Sequence, residues 1–237
     1  MSAPPEEELI RLLKYGTFRA IREFINKNRN VNLHYPRVDL STPLSTAIDR
    51  SDPSILSILI EKVPGCLSSA VTQTCGRTPL MRAAFCARDP EILLILIEKG
   101  ADIHERDIIG WNCLYHAVIG KRLQNVITLL NCNCKLIESK DNNGRTPLMV
   151  SVYLSSPEIF DYLLTSGANM EAVDNYGLCA LHLAILRRKR DFVLQLTKRG
   201  MNIDLIVDPA SGASLQRLAE GIMSDLLPWH SFHEKNY

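Results

Sequence analysis

The chain has 237 residues, and 46% of them are hydrophobic, which is enough to bury a sizeable core. Its 27 basic and 26 acidic residues leave a formal net charge of +1, so no global field attracts nucleic acid or an anionic membrane. The longest apolar run, residues 92–97, is far too short to cross a bilayer.

The N-terminus and the cysteines indicate an intracellular protein. Residues 1–8 end in three glutamates and lack the basic-then-apolar order of a secretory signal peptide. The seven cysteines are odd in number and scattered along the chain: Cys66, Cys75, Cys86, Cys113, Cys132, Cys134 and Cys179. Scattered cysteines of odd number are typical of a reducing compartment, where free thiols behave as small apolar residues. We therefore expect the protein in the cytoplasm, with the nucleus as a second location.

Residues 6–30 are predicted to form a helix pair. The glutamates at residues 6–8 suit the positive end of a helix dipole. Two apolar stripes follow at helical spacing: Leu9, Ile10, Leu12 and Leu13, then Phe18, Ile21, Phe24 and Ile25. Basic and acidic residues supply a polar outer side, so we interpret this pair as an N-terminal cap.

From residue 42 onward, a pattern of a turn followed by a helix start recurs. In residues 142–147, Asn and Gly accept a positive φ in a tight turn, Thr146 can cap a helix, and Pro147 fits its first position. Counted from the cap position, the copies start at residues 42, 78, 112, 146, 179 and 214, at separations of 36, 34, 34, 33 and 35 residues. This internal periodicity predicts a repeat architecture.

A second, outer helix is predicted within each repeat. Three of these helices begin with a cap residue and a proline: Asp52-Pro53, Asp89-Pro90 and Ser156-Pro157. Their interiors, such as residues 55–60 and 92–97, are too apolar to be stable alone in water, so stacked neighbours must cover them. Three glycines are placed to end outer helices: Gly100, Gly167 and Gly200.

These repeats resemble the ankyrin repeat over residues 40–220. Cys179–Ala184 keeps the His and Ala of the family motif Thr-Pro-Leu-His-x-Ala, whereas Thr78–Ala83 has Met in place of His. Gly100-Ala101-Asp102 and Gly167-Ala168-Asn169 match the family's Gly-Ala-Asp exit from the outer helix. The resemblance implies an all-α repeat solenoid, in which helix pairs stack with short β-hairpin fingers between them and caps at both ends.

We expect residues 1–237 to form a single ankyrin-repeat domain. Its predicted parts are an N-terminal cap helix pair at 6–36, repeats starting near residues 40, 74, 108, 142 and 175, a C-terminal cap at 208–227 and a tail at 228–237. Within the cap, Leu205–Val207 is a candidate strand and Ser214–Met223 a candidate helix. Pro64-Gly65 predicts a distorted finger between residues 62 and 76.

The resemblance also implies where a protein partner would bind. In ankyrin repeats, the variable contact positions are the finger tips, the residue before the helix cap and the exposed inner-helix positions. Carried onto this chain, they are Arg77, Arg82, Phe85, Ile108, Ile109, Trp111, Ile119, Asn142, Asn143, Arg145, Tyr153, Asn175, Tyr176 and Leu178. Exposed aromatic, Ile and Arg side chains are typical of an interface core. The alternative is that distorted fingers bury these side chains against one another.

The sequence contains no recognisable catalytic pattern. It has no Gly-rich phosphate loop and no nucleophile motif. The pairs His230/His233 and Cys132/Cys134 lack the further ligands that a zinc site needs. For His182, at the family motif position, the resemblance implies structural hydrogen bonds between neighbouring repeats. We therefore expect no enzyme activity, no metal and no cofactor.

Basic residues are concentrated in one run, Arg187-Arg188-Lys189-Arg190. One interpretation is a solvated loop whose charges compensate a helix end. The other is a nuclear-import signal or a patch for acidic partners. The sequence favours the first interpretation and leaves the second open.

We expect a non-catalytic scaffold or adaptor that binds a protein partner through the concave finger and inner-helix face. It is expected to be a monomer by itself and to bind neither membranes nor nucleic acid. One alternative is a ubiquitin-ligase substrate adaptor, because Ser214–Leu218 and Leu227-Pro228 faintly resemble a SOCS box, although Ala219 replaces its usual Cys. Another is a sensor whose Arg77, Arg82 and Arg145 bind a phosphorylated small molecule. The partner is not identified, since one scaffold serves unrelated partners.

Overall fold

The computed structural model describes residues 4–28, 30–34, 42–62, 67 and 76–201, and every regular element in these ranges is helical. The helices are α1 (Pro5–Tyr15), α2 (Phe18–Lys27), α3 (Pro43–Arg50), α4 (Pro53–Lys62), α5 (Pro79–Cys86), α6 (Glu91–Glu98), α7 (Cys113–Ile119), α8 (Leu123–Cys132), a 3-10 helix (Cys134–Glu138), α9 (Pro147–Tyr153), α10 (Pro157–Thr165), α11 (Ala180–Leu186) and α12 (Arg190–Lys198). The predictions for Leu205–Val207, for the C-terminal cap and tail, and for most of the finger at 62–76 lie outside the described residues.

The inner helices begin where the repeated pattern predicts. Thr42, Thr78 and Thr146 accept hydrogen bonds from the backbone N–H three residues further on, at 3.0, 3.2 and 3.4 Å. Asn112 replaces Thr at the start of α7 and accepts from Leu114 N at 3.0 Å. A side-chain oxygen at this position satisfies one N–H that the first turn leaves without a partner. The predicted starts of α3, α5, α7 and α9 are therefore confirmed.

The helices pack as pairs in series within two compact units, residues 1–136 and 137–237. In the first unit, the inner helices α1, α3, α5 and α7 contact one another in that order, and so do the outer helices α2, α4, α6 and α8. Each of these inner helices also contacts the outer helix that follows it. In the second unit, α9 packs against α10 and α11, and α11 packs against α12. The predicted all-α repeat fold is confirmed.

Stacking covers the apolar outer helices as their sequences require. In α6, which contacts α4, α5 and α8, Ile92, Leu93 and Leu96 are completely buried. Burying one such side chain stabilises the fold by about 1.5–3 kcal/mol relative to leaving it in water. The neighbouring helices therefore supply the stability that α6 lacks by itself.

The outer helices end at the predicted glycines. Gly100, Gly167 and Gly200 have φ values of +96°, +89° and +94°. After each glycine, the next backbone N–H donates back into the last turn, as Ala101 N does to Leu96 O at 2.9 Å. This left-handed ending satisfies carbonyls that the helix itself leaves without a partner.

The fingers between repeats are tight turns, and no strand forms in the part of the chain that the structure describes. In the finger of residues 141–145, Asp141 N donates to Arg145 O and Gly144 N donates to Asp141 O, both at 2.9 Å. A strand ladder needs several such bonds along two paired segments. These hairpins close after a single turn, so they are shorter than the predicted β-hairpin fingers.

Candidate protein-interaction surface

A buried aspartate organises the finger that ends at Trp111. Asp107 Oδ1 accepts hydrogen bonds from Ile109 N at 3.1 Å and Trp111 N at 2.9 Å. Gly110 has φ +83°, a conformation that glycine adopts without steric cost. Asp107 is only 7% exposed, so its carboxylate holds the turn from inside and leaves the tip, residues 108 and 109, facing solvent.

Two further fingers repeat this arrangement. Asp141 Oδ1 accepts from Asn143 N at 2.8 Å and Arg145 N at 2.9 Å. Asp174 Oδ1 accepts from Tyr176 N and Leu178 N, both at 2.9 Å. The sequence motifs considered above did not assign this role to the aspartates. Their spacing, always three residues before the turn glycine, is a pattern that could have revealed it.

The finger tips carry exposed apolar side chains in both units. Ile108 and Ile109 are 66% and 41% exposed, and Tyr176 is 67% exposed. Phe85 and Tyr153, at the ends of inner helices α5 and α9, are each 46% exposed. Ile119 and Leu178 are half-buried. The candidate contact residues therefore differ in how much surface they offer.

Three asparagines of the candidate set connect neighbouring fingers in the second unit. Asn175 N donates to Asn143 O at 2.9 Å, and Asn175 Nδ2 donates to Asn142 O at 3.0 Å. All three side chains remain exposed. The finger tips are thus fixed relative to each other before any partner arrives, which lowers the entropic cost of binding.

Trp111 is half-buried and has a packing role of its own. Its ring stacks parallel to the Tyr115 ring, with centroids 6.2 Å apart, and meets the His116 ring edge-on at 6.0 Å. Tyr115 is fully buried in α7. Trp111 therefore joins the finger to the core of the first unit as well as bordering the exposed tip.

His116 lies beneath this finger and pairs with its aspartate. His116 Nε2 is 3.0 Å from Asp107 Oδ2, and the two residues are 2% and 7% exposed. Burial lowers the pKa of His116 below its ordinary value, although the nearby Asp107 carboxylate acts in the opposite direction. The neutral imidazole of His116 therefore links α7 to the finger and has a structural role in this unit.

The arginines of the candidate set have different surroundings. Arg77 is exposed. Arg82 Nε donates to Asp49 Oδ1 at 2.9 Å, and its Nη2 contacts the second carboxylate oxygen, so α5 is tied to α3. Arg145 lies with its guanidinium carbon 5.9 Å from the centre of the Tyr153 ring. Intramolecular contacts thus already engage two of the three arginines.

Burial disfavours the thiolate form of the buried cysteines, including Cys179, whose Sγ lies 3.0 Å from His182 Nδ1. Burial raises the pKa of Cys86 and of Cys113 to about 12, so both are protonated at neutral pH. His182 Nδ1 accepts from Cys179 N at 3.1 Å at the start of α11, which is a helix-capping contact within one repeat. No group of three or more His, Cys, Asp or Glu in this part of the chain is arranged to hold a metal ion.

None of the helices that the structure describes combines the length and the apolar character needed for a bilayer crossing.

A family model described as ankyrin repeats in three copies matches residues 9–107 and 114–206. With the helix pairs stacked in series, this match shows that the chain belongs to the ankyrin repeat family. Members of this family are in general non-catalytic modules, and their repeat stacks bind other proteins.

Individual relatives agree with this assignment. The chain is 29% identical over 167 residues to Neurogenic locus notch homolog protein 2 of Homo sapiens, an alignment that covers 70% of this chain and 7% of that protein. It is 27% identical over 147 residues to Potassium channel AKT2/3 of Arabidopsis thaliana, covering 62% and 18%. The crystal structure of the ankyrin repeat domain of Bcl-3, "a unique member of the IkappaB protein family", matches with a TM-score of 0.71 at 25% identity, covering 91% and 97%. The chain thus spans less than a tenth of its Notch relative's length.

Proposed function

We propose that this protein is a non-catalytic adaptor or scaffold that binds a protein partner through its finger tips and the exposed side of its inner helices. The observation that carries the proposal is the exposure of Ile108 and Tyr176, 66% and 67%, at finger tips. A solvent-facing turn is ordinarily polar. Exposed apolar residues grouped with Trp, Tyr and Arg are characteristic of protein interfaces.

The proposal includes an intracellular location, in the cytoplasm or the nucleus. The five cysteines in the described residues are free thiols: Cys86, Cys113, Cys132, Cys134 and Cys179. Free thiols, two of them exposed, fit a reducing compartment. We also propose that the chain is monomeric by itself and that no catalytic step accompanies binding.

A protein partner is favoured over a phosphorylated small molecule. Arg82 is paired with Asp49, so an anion at Arg82 would compete with an ion pair that already exists. Phe85 on α5 and Tyr153 on α9 are each 46% exposed, and this apolar surface suits a protein partner better than a small anion. The ubiquitin-ligase alternative rests on residues 214–228, which lie outside the described residues.

The test is capture of partners by the tagged full-length chain from extract of its native cells, with identification by mass spectrometry. Ile109→Ala and Tyr176→Ala should each reduce capture of the same partner. Loss of a hot-spot side chain costs about 2 kcal/mol or more of binding free energy. Trp111→Ala should also weaken binding. Because Trp111 stacks on Tyr115, the stability of this variant is measured in parallel, so that a loss of binding is not mistaken for a loss of fold.

Leu94→Ala is the matched control. Leu94 lies on outer helix α6 and is 40% exposed, against 41% for Ile109. Leu94→Ala should therefore remove a similar amount of exposed apolar surface without reducing capture of the partner. Equal losses for Leu94→Ala and Ile109→Ala, or no loss for any finger variant, would refute the proposed surface.

A further inference from the structure

The turn between α11 and α12 contains a concentration of positive charge that its local structure does not explain. Arg187 ends α11, Arg188 has φ +54°, Lys189 is the N-cap of α12 and Arg190 is its first residue. Cations near the C-terminus of α11 suit its dipole, but cations at the N-terminus of α12 oppose the dipole of that helix. Interaction with the helix dipoles therefore explains the positive charges of Arg187 and Arg188 but not those of Lys189 and Arg190.

The other repeats differ at this position. Asp52 and Asp89 lie at the starts of α4 and α6 and accept backbone hydrogen bonds there, whereas Arg122 and Ser156, the N-cap residues of α8 and α10, make no side-chain capping hydrogen bond. Asp52 Oδ1 accepts from Ser54 N at 3.1 Å, as a helix N-terminus favours. Lys189 has no side-chain oxygen and makes no capping hydrogen bond. Lys189 therefore lacks the contact that Asp52 makes, as Arg122 does at the start of α8, but in this chain only the turn before α12 has four consecutive basic residues.

The basic run is only partly balanced by local charge, because one acidic residue, Asp191, follows it in the first turn of α12. None of the ion pairs formed within the described part of the protein involves Arg187, Arg188, Lys189 or Arg190. Instead, the Arg187 guanidinium lies over the Tyr153 ring, 3.7 Å from its centre. Such stacking holds the cation in place and leaves the N–H groups at its edge available to a carboxylate.

Apolar surface adjoins these charges within the second unit. Tyr153 is 46% exposed, and Leu186, the residue before Arg187, is 50% exposed. Tyr153 ends α9 and Leu186 ends α11, two inner helices that contact each other. The site therefore offers one cation held in place, Arg187, with three further basic residues, beside apolar side chains at the ends of neighbouring inner helices.

We propose that this site, defined by Tyr153, Leu186 and the run 187–190, binds an acidic segment of a protein partner. Carboxylates of that segment pair with Arg187 and its basic neighbours, and an adjacent apolar residue packs on Leu186 and Tyr153. This inference rests on the proposed function and specifies the chemistry of the partner. A peptide is favoured over nucleic acid because two of the six residues of the site, Tyr153 and Leu186, are aromatic or aliphatic and the whole chain has a net charge of only +1.

The test uses fluorescence anisotropy with three labelled probes and the full-length protein. The first probe is a peptide of repeated Asp-Glu-Leu triplets, the second is its Asn-Gln-Leu counterpart, and the third is an oligothymidylate of equal length. The acidic peptide should bind, and its affinity should fall as salt rises. Tighter binding of the oligothymidylate, or equal binding of the neutral peptide, would overturn the proposal.

Two matched pairs of variants locate the binding. Arg188→Glu should weaken binding of the acidic peptide by about tenfold or more, whereas Lys121→Glu should change it by less than about twofold. Lys121 has the same φ, +54°, in the corresponding turn of the first unit. Tyr153→Ala should weaken binding and Tyr153→Phe should not, because the phenylalanine ring still supports Arg187. Equal effects within either pair would contradict the site.

The Lys189→Asp variant tests whether peptide binding and thermal stability change in opposite directions. Aspartate is a better N-cap than lysine and suits the helix dipole, so this variant should unfold at a higher temperature. It should nevertheless bind the acidic peptide more weakly. Unchanged or stronger peptide binding by the more stable variant would overturn the proposal.

Partner capture distinguishes this inference from the function on which it rests. If Tyr176→Ala loses the captured partner while Lys189→Asp retains it, the proposed function stands and the acidic-segment inference is wrong. If neither Tyr176→Ala nor Ile109→Ala loses the partner, the proposed function itself is wrong, whatever the peptide measurements show.

Discussion

Asp107 joins a finger to an inner helix through both of its carboxylate oxygens. One oxygen accepts from the backbone N–H groups of Ile109 and Trp111, and the other contacts His116 Nε2. Asp141 and Asp174 make the same backbone contacts in their own fingers. Of these three repeats, only that of Asp107 has a histidine four residues after the inner-helix cap, since Val150 and Leu183 stand there in the others.

We predict that His116 makes stability depend on pH. Its pKa in the folded protein is lowered by burial, so the unfolded chain binds a proton more readily. The contribution to stability is fully present above the unfolded value of 6.5 and is lost as the pH falls from there towards the lower folded pKa. Each unit of pKa difference corresponds to about 1.4 kcal/mol. Urea unfolding between about pH 7.5 and 5.5 measures this loss.

His116→Gln is the control for this effect. A glutamine amide can donate to Asp107 but does not titrate, so the variant should lose less stability over the same pH range. Parallel stability curves for the two proteins would show that His116 is not the source.

At the scale of elements, the turns from inner to outer helix contain residues in a left-handed conformation. Ser51, Lys121, Ser155 and Arg188 have φ values of +56°, +54°, +52° and +54°. An L-residue with a side chain pays a steric cost in this conformation that glycine avoids. At the left-handed position, the chain has glycine after outer helices α6, α10 and α12 and a residue with a side chain after inner helices α3, α7, α9 and α11.

We predict that Lys121→Gly raises the free energy of unfolding by about 0.5–1 kcal/mol. Relief of the steric cost in the folded state should outweigh the greater entropy that glycine gives to the unfolded chain. Chemical denaturation of the purified variant measures the change. Arg88→Gly is the contrasting variant, because Arg88 lies in the corresponding turn of another repeat without a positive φ. It should be neutral or destabilising, and a gain as large as that of Lys121→Gly would contradict the explanation.

At the scale of the whole molecule, stability comes from each helix pair covering the next. The N-terminal pair shows this dependence, because α1 contacts α3 and α2 contacts α4. Leu9, Ile10 and Leu13 are buried on one side of α1, and charged residues such as Arg11 lie exposed. A repeat stack requires such a terminal pair, with one apolar and one polar face.

We predict that removal of residues 1–36 destabilises the rest of the chain. The apolar sides of α3 and α4 would then be exposed, so the truncated protein should unfold at a lower temperature and bind a hydrophobic dye such as ANS. Arg22→Ala with Lys27→Ala is the control, since both side chains are exposed on α2. An unchanged unfolding temperature after truncation would mean that this pair does not act as a cap.

Much of the candidate surface could be placed from the sequence, because finger tips and inner-helix ends follow from the repeat register. Ile108 and Tyr176 are exposed as expected for finger tips. Trp111 is less exposed because it stacks on Tyr115 and meets His116, and Arg82 is engaged by Asp49, 33 residues away. Repeat register alone does not predict such side-chain contacts. That these residues bind a partner remains a prediction.

The sequence by itself determined where the inner helices α3, α5, α7, α9 and α11 begin and that the chain is an ankyrin repeat stack. Those features depend on caps, turns and a period near 33 residues, which act through neighbours along the chain. The tertiary structure decided that Arg187 lies over Tyr153, that His116 meets Asp107 and that the three fingers at residues 107–111, 141–145 and 174–178 close without strands. These outcomes depend on which side chains meet when one element packs on another, and that is set by packing in three dimensions rather than by local preference.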